Sequence, residues 1–263
     1  MRKKEGGENM RIITHMGQAH SDEFLAVALL LIKFPDAEVH RVSAVPDEIN
    51  DAIVVDIGGK FDNEKFFDHH HDPELPCSLV LILRKFFPEI DVNIQEIQWI
   101  NDWDRMGPLK TQAKWNVKLP EFRDPIAEVV LRLFSKAEVI KPGDPLHTML
   151  RMIGEEFLEF LKEQQVFIEK AKKAEILEIK GLKVVKLDEN VPIRFVKAVH
   201  RDVAIVIQPN QRVQGALSLV RVDDHPRVDF RRITVPTYFV HNTGFMAIID
   251  PQHLEQAIEQ AID

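Results

Sequence analysis

Four apolar residues, Ala52 to Val55, run directly into Asp56 and then, after Ile57, into the glycine pair Gly58-Gly59. A short run with no polar alternation suits a strand covered on both faces, and such strands occur mainly in parallel sheets flanked by helices. The glycines allow the backbone to turn sharply where the strand ends. "RIITH" (Arg11 to His15) has the same character, and "AEVHRV" (Ala37 to Val42) is a further candidate strand. Between them lies "FLAVALLLI" (Phe24 to Ile32), which reads as a buried helix. Ser21 is expected as its N-cap, with Asp22 and Glu23 in the first turn, where the helix dipole favours anions. More helices are expected over Cys77 to Phe87, Ile94 to Trp103 and Pro125 to Phe134. This alternation predicts an α/β fold with a parallel sheet over roughly the first 110 residues.

Downstream, Met149, Leu150, Ile153, Phe157, Phe160 and Leu161 recur at helical spacing, and a long helix is expected from about Pro145 to Ile179. Such a stripe is core packing, and the helix would connect two lobes. After Gly181, "LKVVKL", "VAIVIQP" and "ALSLVRV" read as strands separated by turns, and Pro251 opens a closing helix that runs to Ile262. The predicted organisation is a catalytic α/β domain over 10–145, a helical connector over 146–180 and a smaller α+β domain over 181–263.

Composition narrows the class. A formal charge of −8 excludes a basic nucleic-acid-coating protein, though not an enzyme with a local basic patch. Cys77 is the single cysteine, so neither an internal disulfide nor a zinc ribbon is available. The longest apolar run is too short for a membrane span. "MRKKEGGENM" is polar, without the apolar centre of a signal peptide, and is expected to be a disordered lead-in. A cytoplasmic protein with no membrane partner is expected.

Ionisable residues gather where strands end. His15 closes "RIITH", and Asp56 closes "AIVVD". In open α/β sheets ligands bind beyond the carboxyl ends of strands, so both should face one crevice. His20 and Asp22 follow His15 with the spacing HxGxxHxD. "FFDHHHD" brings Asp68, His69, His70, His71 and Asp72 soon after Asp56, and "NDWDRMG" adds Asp102 and Asp104 at a helix end. Singly, each residue has a structural explanation as a cap, a surface side chain or a solvated loop. Together, His15, His20, Asp22, Asp56, Asp68, His69, His70 and Asp104 would be a costly cluster, because close carboxylates repel one another. One or two divalent cations remove that cost. Mixed imidazole and carboxylate ligation suits Mn, Co, Fe or Zn and disfavours Ca.

"THMGQAHSDE", "VVDIGG" and "FFDHHH" together resemble the DHH phosphoesterase superfamily, and most closely its Myg-type branch of 3′–5′ exonucleases. The opening pattern T-H-x-G-x-x-H-x-D-E is present in full. "FVHNTGFMA" (Phe239 to Ala247) is similar to the closing H-x-x-G-F segment, so the resemblance runs from about Met10 to Ile262.

The resemblance implies a pair of divalent metal ions, usually manganese, which activate water for attack on a phosphodiester. His15 and His20 match ligands of one metal. Asp22, His69 and Asp104 match ligands of the other, and Asp56 matches the bridging carboxylate. Asp68 is similar to a group that orients an imidazole, and His70 to the histidine that contacts the phosphoryl oxygens. The family's D-N-G reads Asp104-Arg105-Met106-Gly107 here, one residue longer, so Asp102 is the alternative ligand. The continuation "MAIID" replaces a glycine pair, so the substrate-side loop is expected to differ.

Arg212, Arg221, Arg227, Arg231 and Arg232 suit phosphate contacts, although Asp223, Asp224 and Asp229 are interleaved with them. Arg231, Arg232, His241 and Gly244 are the expected substrate-binding residues. Tyr238, Phe239 and Phe245 could stack on bases but are expected in the core, as are Trp99, Trp103 and Trp115. The expected partner is a phosphorylated substrate, foremost a nucleic-acid end or short oligonucleotide. The alternatives are a small substrate, such as pyrophosphate, polyphosphate or a nucleotide, and a metal-binding protein without turnover.

Overall fold

In a computed structural model, residues 10–118 and 124–263 are described. The expected polar lead-in at 1–10 lies outside them except for Met10. The chain divides into two compact units, the first ending at Lys162 and the second running from Glu163 to Asp263.

The first unit begins with β1 (Arg11–His15), α1 (Ser21–Lys33), β2 (Glu38–Val42), β3 (Ala52–Val55) and β4 (Phe66–Phe67). Helices α2 (Ser78–Phe86), α3 (Gln95–Met106), α4 (Pro108–Trp115) and α5 (Pro125–Ser135) follow, then the short strand β5 (Val139–Ile140). Helix α6 (Pro145–Lys172) carries the boundary between the units. The sheet order is β4-β3-β1-β2-β5. The first four strands are mutually parallel, and β5 adds an antiparallel edge that was not expected. Both central strands are buried throughout their apolar length, as two-sided cover demands: Ala52 to Val55 all lie inside, and so do Ile12 and Ile13. Helix α1 is apolar all round from Ala26 to Leu31 and accordingly buried.

The second unit adds β6 (Glu175–Ile179), β7 (Leu182–Lys186), α7 (Ile193–Val199), β8 (Val203–Pro209), β9 (Leu217–Arg221), β10 (Thr237–Val240), β11 (Met246–Ile249) and α8 (Leu254–Ala261). Its sheet order is β10-β11-β9-β8-β7-β6, antiparallel except where β7 meets β8. The expected mixed α/β content is therefore present, in two mixed sheets with eight α-helices among the described residues. No helix among them is long and apolar enough to cross a membrane.

Three local expectations need correction. The long helix stops at Lys172, and Glu175–Ile179 is a strand paired with β7. Lys180 and Gly181 both take positive φ, the geometry of a tight hairpin, so strand pairing overrides the helical propensity of "EILEI". The N-cap of α1 is His20 rather than Ser21, and the side chain of Glu23 reaches back to the His20 N–H at 3.3 Å. Tyr238, Phe239 and Phe245 are not in the core; they are 57%, 43% and 36% exposed around the β10–β11 hairpin. The three tryptophans do pack on one another, with Trp99 5.9 Å from Trp103 and 5.6 Å from Trp115 between ring centroids.

Candidate metal centre

Four segments of the first unit deliver side chains to one place beyond the carboxyl ends of β1 and β3. His15 ends β1, and His20, Asp22 and Glu23 start α1. Asp56 follows β3 in a left-handed conformation at φ +59°, which Asp tolerates better than most residues. Asp68, His69 and His70 follow β4, and Asp104 lies in the last turn of α3. Parallel pairing of β1, β3 and β4 brings three of these segments to the same sheet edge.

The distances are short. His69 Nε2 lies 2.9 Å from Asp104 Oδ2 and 3.5 Å from Asp56 Oδ1. His15 Nε2 lies 3.5 Å from Asp56 Oδ2, and His20 Nδ1 lies 3.7 Å from Asp104 Oδ1. Three triads have ligand atoms within 4.8 Å of one another: His15-His20-Asp56, Asp56-His69-His70 and His20-Asp22-Asp104. Asp56 belongs to two of them, and His20 to two. Asp68 stands behind this group. Its Oδ1 is 2.7 Å from His70 Nδ1, and its Oδ2 accepts the Gly59 N–H at 2.5 Å, so His70 Nε2 is the ring nitrogen left facing outward. Ser78, at the start of α2, donates to Asp56 Oδ1 at 2.8 Å. Asp102 is engaged elsewhere: Lys114 Nζ lies 2.6 Å from its Oδ2, and Trp115 donates to the same oxygen at 2.8 Å.

These residues fit a cation. Both Asp22 oxygens, Asp56 Oδ2, His69 Nε2 and Asp104 Oδ2 are buried without a hydrogen-bond partner among the described residues. The 2.9 Å approach of His69 to Asp104 therefore lacks hydrogen-bond geometry. Buried polar atoms left unpaired are costly, and several converging on one point are explained by something that all of them can ligate. Hard carboxylate oxygens mixed with imidazole nitrogens match a transition-metal dication.

Electrostatics express the same strain. Burial raises the Asp22 carboxyl well above its ordinary range, and Asp56 and Asp104 push it further. Burial also works upward on Asp56, but His15, His69 and Ser78 outweigh it and hold its carboxyl below the usual range. His15 is raised to about 10 by Asp56 and then Glu23. Burial pulls His69 down, yet Asp104 and Asp56 bring it to about 10. Both imidazoles thus bind more protons in the folded than in the unfolded chain between their ordinary 6.5 and about 10. Their contribution to metal-free stability is complete below that window and lost as pH rises through it. Metal ligation needs these rings neutral, so Mn²⁺ uptake should release protons and tighten as pH rises from about 6 to about 8. Calorimetric titration in buffers of different ionisation enthalpy would detect this. An affinity flat across that range, with no buffer dependence, would contradict it.

Arg231, Arg232, His241 and Gly244 all belong to the second unit. Arg231 is paired with Asp229 at 2.6 Å, and Arg232 with Asp263 at 2.7 Å. His241 Nδ1 lies 2.9 Å from Thr243 Oγ1, and its ring sits 4.4 Å from that of Phe245. Gly244 takes φ +68°, and a Cβ there would fall 2.0 Å from Asp229 Oδ1, so any other residue would be strained and would have to displace the Asp229 carboxylate.

Sequence reasoning passed over Glu23, Arg41 and Ser78. Glu23 adjoins the HxGxxHxD spacing but reads as an ordinary first-turn anion. Arg41 shares the inward face of β2 with Val39, and that alternation was the available signal for a buried guanidinium.

Residues 11–74 match the profile of the MYG1_exonuc family, described as "Uncharacterised protein family (UPF0160)". A MYG1 protein of Schizosaccharomyces pombe is 45% identical over 64 residues, which cover 23% of this chain and 19% of that protein. A MYG1 protein of Saccharomyces cerevisiae is 45% identical over 62 residues, covering 23% and 18%. The MYG1 exonuclease of Homo sapiens is 44% identical over 63 residues, covering 23% and 17%. The matched stretch thus spans less than a fifth of each of these relatives. The family likeness covers the segment that carries His15, His20, Asp22, Asp56, Asp68, His69 and His70, and it ends before Asp104 and the second unit.

Proposed function

We propose that this chain is a divalent-metal-dependent phosphoesterase of the DHH type that hydrolyses phosphodiester bonds at nucleic-acid ends, as a 3′–5′ exonuclease. The observation that carries this is the set of buried, unpartnered carboxylate and imidazole atoms supplied by separate segments to one sheet edge. The name exonuclease, borne by the human relative over its short match, adds the substrate class. His15 and His20 would hold one cation, Asp22, His69 and Asp104 the other, with Asp56 shared. The commitment of Asp102 to Lys114 and Trp115 favours Asp104 as the α3 ligand. Manganese suits this donor set. Two bound cations would activate water for in-line attack at phosphorus and neutralise the developing charge.

The remaining roles belong to the chain itself. Asp68 holds His70 by Nδ1, so that Nε2 is the ring nitrogen turned to a phosphoryl oxygen. Substrate contacts in the second unit are assigned to Arg231, Arg232, His241 and Gly244. Between Asp104 and Glu121 the sequence carries no carboxylate, and besides Lys114, which is held by Asp102, it carries Arg105, Lys110 and Lys118, which favours a polyanionic substrate. A small phosphorylated substrate remains the alternative, favoured by the net charge of −8.

Replacing His70 by alanine should leave Mn²⁺ binding intact while hydrolysis falls about 100- to 1,000-fold, as when one transition-state donor is removed. The assay pairs end-labelled single-stranded RNA and DNA with pyrophosphate in Mn²⁺. Stepwise shortening of the oligonucleotide by wild type supports the exonuclease. Phosphate release from pyrophosphate alone would replace it with the small-substrate enzyme, and unchanged hydrolysis by the variant would remove the role given to His70.

A further inference from the structure

Beside the candidate metal centre, and touching it at His15, lies a buried ion pair. Arg41, on β2, and Glu23, in the first turn of α1, have no exposed side-chain surface and meet at 2.9 Å through Nη2 and Oε1. Arg41 Nη1 donates to main chain, to the Phe134 carbonyl at 3.0 Å and the Gly17 carbonyl at 3.3 Å, while Nε is buried without a hydrogen-bond partner among the described residues. Its guanidinium carbon sits 4.5 Å from the centroid of the Phe134 ring. Glu23 Oε1 also accepts from the Thr14 hydroxyl at 3.3 Å. Its other oxygen, Oε2, lies 2.5 Å from His15 Nε2 and accepts the His20 N–H at 3.3 Å.

Three of these contacts, to His15, Gly17 and His20, bear on one short loop. His15 precedes it, Gly17 lies within it and His20 ends it. Ala19 is fastened separately, its N–H donating to Ser135 Oγ at 2.9 Å. A fully buried ion pair is no better for stability than well-packed apolar side chains of the same volume, so stability alone does not account for it. A planar guanidinium, however, can address a carboxylate and two carbonyls at once in a fixed geometry, which neither an apolar side chain nor a lysine can do. Groups one layer behind metal ligands commonly set ring orientation and donor spacing.

We propose that Arg41, acting through Glu23, is a positioning residue that holds the loop from His15 to His20 in its cation-binding form; this rests on reading that loop as part of a metal centre. A residue that positions ligands without touching the cation acts on affinity for it rather than on the reaction at saturating cation.

The test is Mn²⁺ binding by calorimetry and electron paramagnetic resonance on wild type and on Arg41→Lys, which keeps the positive charge facing Glu23 but loses the carbonyl contacts. The folded variant should bind Mn²⁺ about 10- to 100-fold more weakly, with hydrolysis recovering toward wild type as Mn²⁺ is raised. Glu23→Gln, nearly isosteric, should weaken binding in the same direction, because its amide cannot accept at both positions. If Arg41→Lys does not fold, Glu23→Gln decides. Wild-type affinity in either folded variant, with only thermal stability reduced, would overturn the proposal and leave the pair structural. A wild-type protein that takes up no Mn²⁺ would overturn the metal centre itself along with this inference.

Discussion

Replacing Asp56 by asparagine is expected to abolish both hydrolysis and the binding of paired cations. Asparagine is the right substitution because Asp56 sits at φ +59°, and asparagine tolerates this left-handed region about as well as aspartate does. The side chain can still accept from Ser78, so the variant removes charge and one ligand oxygen while keeping the backbone. Asp56 lies within reach of His15, His69 and His70 and belongs to two of the three ligand triads, more than any other carboxylate at the site. Losing a group behind the ligands costs about 10- to 100-fold in affinity or activity, and losing a shared ligand should exceed the upper end of that range. The measurement is Mn²⁺ titration followed by single-turnover hydrolysis of a labelled oligonucleotide. Binding and turnover within tenfold of wild type would remove Asp56 from the centre of the site.

The second large effect is on stability. Gly154 on α6 packs against the backbone of α1, and a Cβ there would fall 2.3 Å from the Ala28 carbonyl oxygen and 2.7 Å from its carbon. Two effects oppose each other in Gly154→Ala. Helix propensity favours alanine by about 1 kcal/mol. The clash is with main chain inside a buried helix, which cannot rotate away as a side chain would, and overpacking of this kind costs about 1–3 kcal/mol or more. The clash should win by about 1–2 kcal/mol, lowering the melting temperature of the first unit by about 2–8 °C. Thermal unfolding followed by circular dichroism reads it. A melting temperature equal to or above that of wild type would mean that α6 and α1 do not approach this closely. Metal affinity measured below the transition should be little changed, which separates this variant from Asp56→Asn.

Much of the site was legible because its residues follow strand ends. β1 was read over its full length, Arg11 to His15, because its apolar residues stop at an ionisable one. The same reasoning places Asp56 just beyond the end of β3. The sequence spacing of His20 and Asp22 from His15 survives into three dimensions because a short loop leaves little room for alternatives. What was not legible depends on partners distant in sequence. Asp102 and Asp104 lie in one helix, and only their partners separate them: Lys114 and Trp115 around Asp102, His20 and His69 beside Asp104. Arg41 looks like any strand arginine until Glu23 and Phe134 are seen around it. The stripe read along α6 contained Phe160, which is 37% exposed, and missed Gly154, whose lack of a side chain makes the closest contact. Hydrophobicity marks positions that bury area; it gives no sign where a missing side chain admits a neighbouring helix. The end of α6 was misplaced because "EILEI" has no helix breaker before it, and the hairpin at Lys180-Gly181 decides its conformation from the other side.

The most direct measurement is the manganese content of the protein after incubation with Mn²⁺ and removal of free ion, determined by elemental analysis for wild type and for Asp56→Asn together. The account predicts about two ions per wild-type chain and a clear loss in the variant, since Asp56 would serve both ions. Wild-type protein that retains none, or a variant that retains as many as wild type, would contradict it.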